Sequence, residues 1–112
     1  MRVSEDTRVA RLFSRLSRAP KRGPVEVAEP PPDPDGRPLL IGRSPRCDLV
    51  LGDPTVSRKH AELVREEDRW IVRDLSSTNG TRVNGWRVHR AVVARGDVLT
   101  LGGQRLVFGR RR

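Results

Sequence analysis

Four short polar signatures in the middle of the chain contain the residues best suited to chemistry. In chain order they are Gly42-Arg43-Ser44, Ser57-Arg58-Lys59-His60, Ser77-Thr78-Asn79-Gly80-Thr81 and Val83-Asn84-Gly85. An arginine offers a planar fork of donors that matches phosphate oxygens in pairs, and serine and threonine hydroxyls can add further donors. An asparagine can satisfy a peptide bond with both a donor and an acceptor. The grouping predicts a ligand that is a phosphorylated peptide.

The segments between these signatures read as short β-strands joined by turns. Their spacing of about 8–12 residues is typical of a β-sandwich or barrel. The pairs Asn84-Gly85 and Gly102-Gly103 predict two-residue hairpin turns. We therefore expect an all-β fold, an antiparallel β-sandwich that presents loops for binding. The candidate strands are Leu39–Ile41, Leu49–Leu51, Ala61–Arg65, Trp70–Asp74, Thr81–Val83, Trp86–His89, Val98–Leu101 and Gln104–Phe108.

The chain before residue 39 has a different character. Residues 6–18 predict a short amphipathic helix, because apolar residues recur there at helical spacing. So short a helix is marginal alone, and a disordered tail is the alternative. Prolines exclude regular structure at 30–38, which we interpret as a stiff loop after an outer strand at Val25 and Val27, with a linker as the alternative. The expected organisation is a basic tail at 1–23, one domain at 24–109 with its motif-bearing core at 39–108, and a basic tail at 110–112.

The formal net charge of +9 is unevenly distributed. Residues 1–23 contain seven basic and two acidic residues, and residues 110–112 are all arginine. Most of the excess therefore lies in the tails, and nucleic-acid binding by the domain is not expected. The chain also has only two Trp, two Phe and no Tyr, fewer aromatics than single-strand stacking platforms use. Nucleic-acid binding by the basic tails, or a structural β-domain with a vestigial phosphate site, remain alternative hypotheses.

Several protein classes are disfavoured by what the sequence contains. No apolar run approaches the ~20 residues of a membrane span, and the N-terminus makes a poor secretory signal. Cys47 is the single cysteine, which excludes an internal disulfide and a cysteine-rich zinc site. No nucleophile–base pair or metal cluster is apparent. We therefore expect a cytoplasmic, monomeric, non-catalytic protein without metal or cofactor, and the preference for 21 arginines over two lysines favours a bacterial source.

Together the signatures closely resemble those of the forkhead-associated (FHA) domain, a fold also described as FHA/SMAD-like. The resemblance rests on Gly-Arg-Ser-Pro-x-Cys-Asp, then Ser-x-x-His, then Ser-Ser-Thr-Asn-Gly-Thr, and it covers roughly Leu39 to Phe108. It implies a sandwich of about eleven strands in two sheets, with loops at one end that bind phosphothreonine in extended peptides. The implied function is that of a signalling adaptor downstream of Ser/Thr kinases, with a kinase or its substrates as partners.

The resemblance also implies roles for individual residues. Arg43 would contact the phosphate, and Ser57 would donate its hydroxyl to the same phosphate. Arg58 would face the phosphate or the peptide backbone. Thr78 would add a phosphate contact through its hydroxyl, and Asn79 would hold the peptide main chain beside the phosphothreonine.

Other residues have supporting roles by the same resemblance. Thr55 and Val56 lie in the loop with which members of the family commonly recognise the residue three positions after the phosphothreonine. We call it the specificity loop. That loop has no additional arginine, so a preference for an acidic residue there is not implied. Thr7 is a candidate phosphosite whose modification would let the tail occupy the domain's own pocket, as in related small proteins. The residues expected to support the loops are Gly42, His60, Gly80 and Asn84.

Overall fold

The structure is a computed structural model that describes residues 25–27, 29–30 and 36–109. In this part of the chain the backbone forms ten strands and no helix, which confirms the predicted all-β fold. The resemblance implied about eleven strands. Thr7, the helix predicted at 6–18 and the tail at 110–112 lie outside the described residues. None of the described residues forms a helix long and apolar enough to span a bilayer.

The strands form two sheets of five strands each. Sheet A has the order β1-β10-β9-β6-β7, and sheet B has the order β3-β2-β4-β5-β8. In chain order the strands are β1 (Val25–Val27), β2 (Leu39–Gly42), β3 (Leu49–Val50), β4 (Ala61–Glu66), β5 (Arg69–Asp74), β6 (Thr81–Val83), β7 (Trp86–Val88), β8 (Arg90–Val93), β9 (Val98–Leu101) and β10 (Gln104–Phe108).

Most strand pairs are antiparallel, as expected, but two edge strands pair in parallel. β1 runs parallel to β10, so the outer strand predicted at Val25 and Val27 is present. β3 runs parallel to β2 because the intervening loop carries the chain back to the start of β2. There the N–H of Asp48 donates to the carbonyl of Leu40 over 2.8 Å, and the Asp48 carboxylate accepts from the Leu40 N–H over 2.7 Å.

The strand β8 was not predicted from the sequence. The chain leaves sheet A at the end of β7 and enters sheet B at the start of β8, and only His89 lies between them. No glycine or proline marks this crossing, so the sequence pattern predicts one strand followed by a loop. In the structure β8 pairs with β5, with Val93 opposite Trp70.

The core lies between the two sheets. Trp70 and Val72, which alternate along β5, both belong to the core cluster. The ring of Trp70 in sheet B meets the ring of Phe108 in sheet A edge to face, with 6.4 Å between centroids. Such aromatic pairs add to the free energy of burial, and here the pair joins the two layers. The packed sandwich is the scaffold on which the loops are placed. Residues of this core less than 2% exposed include Ile41, Leu49, Leu51, Leu63, Leu99, Leu101 and Leu106.

Candidate functional site

Three connections meet at one end of the sandwich. We call them loop 1 (residues 43–48, between β2 and β3), loop 2 (residues 51–60, between β3 and β4) and loop 3 (residues 75–80, between β5 and β6). The strand register explains the meeting, because Ala61 lies opposite both Ile41 and Asp74. β2 and β5 therefore end where β4 begins. Three of the four polar signatures are thus brought together, and we refer to the three loops as the binding loops.

Loops 1 and 2 are joined by their backbones. The N–H of Arg43 donates to the carbonyl of Ser57 over 3.0 Å, and the N–H of Ser44 donates to the carbonyl of Arg58 over 3.1 Å. Gly42 makes this approach feasible, because a Cβ at that position would lie 2.1 Å from the Arg58 carbonyl oxygen. Only glycine fits so close a contact between two backbones.

Cys47 packs beneath the same junction. Its thiol is buried and donates to the carbonyl of Arg58 over 3.2 Å, while its N–H donates to the carbonyl of Ser44 over 3.0 Å. Burial raises the pKa of the Cys47 thiol above its ordinary value. The residue therefore acts as a small buried side chain that supports loop 1.

Arg43 is exposed at the start of loop 1. Its Nε donates to the carbonyl of Val56 over 3.0 Å, which holds the guanidinium against loop 2. The two terminal nitrogens make no hydrogen bond or ion pair with any residue that the structure describes. An oriented guanidinium with its terminal donors available is suited to bind an oxyanion in a bidentate manner.

Hydroxyl and amide groups from loops 2 and 3 lie beside one another. The Ser57 hydroxyl oxygen accepts from the N–H of Thr78 over 3.0 Å, and its own proton has no acceptor among the described residues. The Asn79 side-chain amide donates to the carbonyl of Thr55 over 2.8 Å, leaving its oxygen available. The side chains of Thr78, Asn79 and Arg58 are exposed. The loops thus carry both donors and an acceptor at their surface.

His60 is fully buried and connects loops 2 and 3. Its Nδ1 lies 3.0 Å from the N–H of Ser57, and its Nε2 lies 2.9 Å from the carbonyl of Gly80. A backbone N–H can only donate and a carbonyl can only accept. Nδ1 is therefore the acceptor and Nε2 carries the hydrogen, which defines a neutral tautomer. The imidazole spans from the segment that contains Ser57 to the segment that follows Asn79.

Asp74 organises loop 3 and was not among the site residues predicted from the sequence. Its carboxylate accepts from the hydroxyl of Ser77 over 2.5 Å, from the N–H of Ser77 over 3.1 Å and from the hydroxyl of Thr81 over 2.7 Å. Burial opposes ionisation, but these hydrogen bonds outweigh it and lower the pKa of Asp74 below its ordinary value. The Ser77 hydroxyl oxygen also accepts from the N–H of Gly80 over 2.9 Å. The signal in the sequence was an aspartate three residues before a serine, a spacing typical of side-chain-capped turns.

The two residues of the predicted specificity loop have different environments. The side chain of Val56 is 1% exposed and belongs to the core, so it does not reach the surface of loop 2. Thr55 is exposed, and its hydroxyl is held between the Asp53 carboxylate (2.6 Å) and the N–H of Gly103 (2.7 Å). This connects loop 2 to the β9–β10 turn. Of the predicted pair, only Thr55 is placed at the surface.

Asn84 lies at the opposite end of the sandwich, away from the other predicted site residues. It occupies the β6–β7 turn with φ 51°, where its side chain accepts from the N–H of Val98 over 2.9 Å and donates to the Asp97 carboxylate over 3.2 Å. Asn84 therefore supports the β8–β9 connection and not the binding loops. Within the described residues no group of histidine, cysteine and carboxylate side chains could hold a metal ion.

A two-layer β-sandwich with an arginine, hydroxyls and an asparagine collected on loops at one end defines a binding module in which rigid sheets present the contact residues. The family model described as FHA domain matches residues 39–102, and the chain belongs to this family.

Bacterial relatives agree with this assignment. The chain is 49% identical over 67 residues to the glycogen accumulation regulator GarA of Mycobacterium tuberculosis, a match that covers 60% of this chain and 41% of GarA. The chain thus spans less than half the length of that relative. Among solved structures it is similar to the FHA-2 domain of the Mycobacterium tuberculosis ABC transporter Rv1747, with TM-score 0.60 and 42% identity over 70% of this chain and 73% of that one. It is also similar to an FHA domain studied for phosphothreonine-dependent interactions, with TM-score 0.59 and 36% identity over 65% of this chain and 83% of that one.

Proposed function

We propose that the chain is a non-catalytic adaptor that binds phosphothreonine peptides through the binding loops. The observation that carries this proposal is the arrangement of Arg43, whose guanidinium is fixed by the Val56 carbonyl while its terminal nitrogens have no partner among the described residues. A phosphothreonine brings a charge of about −1.5 to −2 and three acceptor oxygens. Hydrogen bonds to charged groups contribute about 1.5–3 kcal/mol each, so two or three suffice for a reversible contact.

Each loop contributes to the proposed contact. Arg43 of loop 1 binds the phosphate with its terminal nitrogens. The Ser57 hydroxyl donates to the same phosphate, because its oxygen already accepts from the Thr78 N–H and its proton is available. The Thr78 hydroxyl adds a phosphate contact. The Asn79 oxygen accepts from the peptide main chain, since its amide nitrogen already donates within loop 2.

The exposed Arg58 side chain binds the phosphate or the peptide backbone next to it. Thr55 is the part of the specificity loop that contacts the peptide, because the Val56 side chain is in the core. Gly42, His60 and Gly80 hold the loops together from beneath, by the contacts described above. This division gives the surface residues ligand contacts and the buried residues a positioning role.

The proposed partners are phosphothreonine-containing proteins, a Ser/Thr kinase or its substrates, in the cytoplasm. The similarity to an FHA domain studied for phosphothreonine-dependent interactions supports the ligand class. The similarity to GarA, a regulator by name, supports a regulatory and non-enzymatic role. Monomeric state and the absence of a cofactor stay predictions.

We further propose that phosphorylated Thr7 is a ligand for the chain's own site. β1 begins at Val25, in register with Leu106 in the middle of β10, and runs parallel to β10, away from the end of the sandwich where the binding loops lie. The 18 residue-to-residue steps from Thr7 to Val25 can extend to about 59 Å at ~3.3 Å each, which is ample to reach loop 1. Backbone NMR signals of Arg43 and Ser57 should move on phosphorylation of Thr7, and unchanged signals would contradict this proposal.

The function is tested by binding to an oriented phosphothreonine peptide library. Matched phosphoserine and unphosphorylated libraries report the dependence on the modification. Arg43→Ala should abolish binding, whereas Arg69→Ala in the hairpin at the opposite end should leave it unchanged. Equal retention of the phosphorylated and unphosphorylated libraries, or full binding by Arg43→Ala, would overturn the proposal.

A further inference from the structure

A row of arginines crosses the outer face of sheet A. Strand register places Arg87 of β7 opposite Arg82 of β6, Arg82 opposite Thr100 of β9, and Thr100 opposite Arg105 of β10. Residues directly opposite one another on neighbouring strands share a face. This face is the solvent side of the sheet, because the residues before and after Arg82 and Arg105 are buried. We call Arg82, Arg87 and Arg105 the arginine row.

The arginines of the row have no ion-pair partner within the described part of the domain. All three side chains are exposed, and none makes an ion pair or hydrogen bond with a described residue. Neighbouring strands lie ~4.8 Å apart, so Arg82 and Arg87 repel each other across the β6–β7 pair. Like charges in this position lower the stability of a sheet. We therefore expect that an anion of a binding partner compensates the charges of Arg82 and Arg87.

The outer face of sheet B provides a comparison within the same domain. There Arg73 forms an ion pair with Glu62, and Arg90 forms an ion pair with Glu66. Two exposed arginines on that sheet thus have carboxylate partners, whereas the exposed Arg69 at the start of β5 has none among the described residues. On sheet A, by contrast, all three arginines of the row lack a carboxylate partner among the described residues.

The row is continuous with the binding loops. The guanidinium of Arg87 lies over Gly80 of loop 3, since a Cβ at Gly80 would be 2.8 Å from the Arg87 Nε and 2.9 Å from its Cζ. Gly80 directly follows Asn79 and lies two residues after Thr78, at most about 7 Å away along the backbone. A polypeptide that leaves the phosphothreonine site over loop 3 therefore reaches Arg87 within two or three residues.

We propose that the arginine row binds an acidic segment of the same polypeptide whose phosphothreonine occupies the binding loops. This inference rests on the proposed function and extends it to the class of partner. From Arg87 to Arg105 the row spans three strand spacings, about 14 Å, which an extended chain covers in about four residues. The partner therefore carries a cluster of about four Asp or Glu residues that begins two or three residues from its phosphothreonine.

The test measures the affinity of the full chain for four synthetic peptides by titration. The first is a short phosphothreonine peptide chosen from the library. The second and third carry four glutamates added two residues before or two residues after the phosphothreonine. The fourth has both additions and an unphosphorylated threonine. One of the two extended peptides should bind about three- to tenfold more tightly than the short one at low salt, and the gain should diminish at 0.5 M salt.

Variants of the chain show which surface is responsible for the gain in affinity. The triple variant R82Q/R87Q/R105Q should lose the additional affinity for the extended peptide. The variant R69Q/R73Q/R90Q removes the same amount of charge from sheet B and should retain that additional affinity. Because Arg87 touches loop 3, a second variant, R82Q/R105Q, leaves that contact intact. It should bind the short peptide like the parent and lose most of the additional affinity for the extended peptide. R82Q should also raise the melting temperature, because it removes the repulsion with Arg87.

Three results would overturn the inference. Equal affinities of the short and extended peptides would show that the row does not contact the partner. Loss of the gain in the sheet B variant as well would show a general effect of net charge. Competition by a 12-nucleotide single strand that depends on the row would assign the row to nucleic-acid phosphates instead. Failure of the short peptide itself to bind would refute the proposed function, which is a separate outcome from a missing gain.

Discussion

Replacement of His60 by alanine should uncouple loops 2 and 3 and destabilise the domain. The imidazole is fully buried and makes two hydrogen bonds, with Ser57 N–H at 3.0 Å and Gly80 carbonyl at 2.9 Å. Each bond contributes about 0.5–1.5 kcal/mol, and loss of the buried ring adds the free energy of a cavity. We expect a decrease of about 2–4 kcal/mol in the free energy of unfolding. For a domain of this size that corresponds to about 10–25 °C in melting temperature.

Urea denaturation of His60→Ala and the parent measures this difference, provided that the slope of the transition is unchanged. His89→Ala is the matched control, because His89 is exposed and its side chain has no hydrogen bond with the described residues. The free energy of unfolding of the control should agree with that of the parent within about 0.5 kcal/mol. Phosphopeptide affinity should fall in His60→Ala and not in His89→Ala. A His60→Ala protein as stable as the control would mean that the imidazole does not hold loops 2 and 3 together.

Three further changes test other parts of the structure. Asp74→Asn should weaken phosphopeptide binding by loosening loop 3. The free energy of unfolding of this variant should also depend less on pH in the acidic range than that of the parent. The sign follows from the lowered pKa of Asp74: its stabilising contribution is present above the ordinary value of 3.8 and is lost as the pH falls below it. Urea midpoints of the variant and parent should therefore converge between pH 5 and pH 2.5, and a constant gap would contradict this. Gly42→Ala should destabilise by about 1–3 kcal/mol, since the new Cβ displaces the Arg58 carbonyl; an unchanged urea midpoint would argue against the close contact. Cys47 should react with iodoacetamide much more slowly in the folded protein than in urea, because its thiol is buried with a raised pKa, and equal rates would contradict the burial.

The alternation of apolar residues and the turn dipeptides made most of the strands predictable. The turn at Asn84-Gly85, with both residues at positive φ, is an example in which local chemistry alone determines the backbone. β8 was missed because its position depends on a crossing between sheets that no local residue marks. The parallel pairing of β3 with β2 likewise depends on how Asp48 folds loop 1 back, which is a contact across the loop and not a periodic pattern.

For the site, the sequence indicated residue types but not which side chains reach the surface. Val56 stands beside Thr55 in the sequence, yet one lies in the core and the other in solvent. Asn84 resembles a loop-supporting residue by its turn chemistry, but strand β6 carries it to the far end. The role of Asp74 depends on contacts that form only when β5 and β6 are in place. Such tertiary placements do not follow from spacing along the chain.

Binding of phosphothreonine by the binding loops at one end of the sandwich underlies the proposed function. NMR titration of the isotopically labelled chain with a phosphothreonine peptide, and with the same peptide lacking the phosphate, is the decisive test. We expect chemical shift changes with the phosphorylated peptide alone. They should be largest at the Arg43 Nε–H and at the backbone N–H groups of Ser57, Thr78 and Asn79, whereas Asn84 at the opposite end should be unaffected. Shifts that avoid the binding loops, or that are the same for both peptides, would contradict the proposed function.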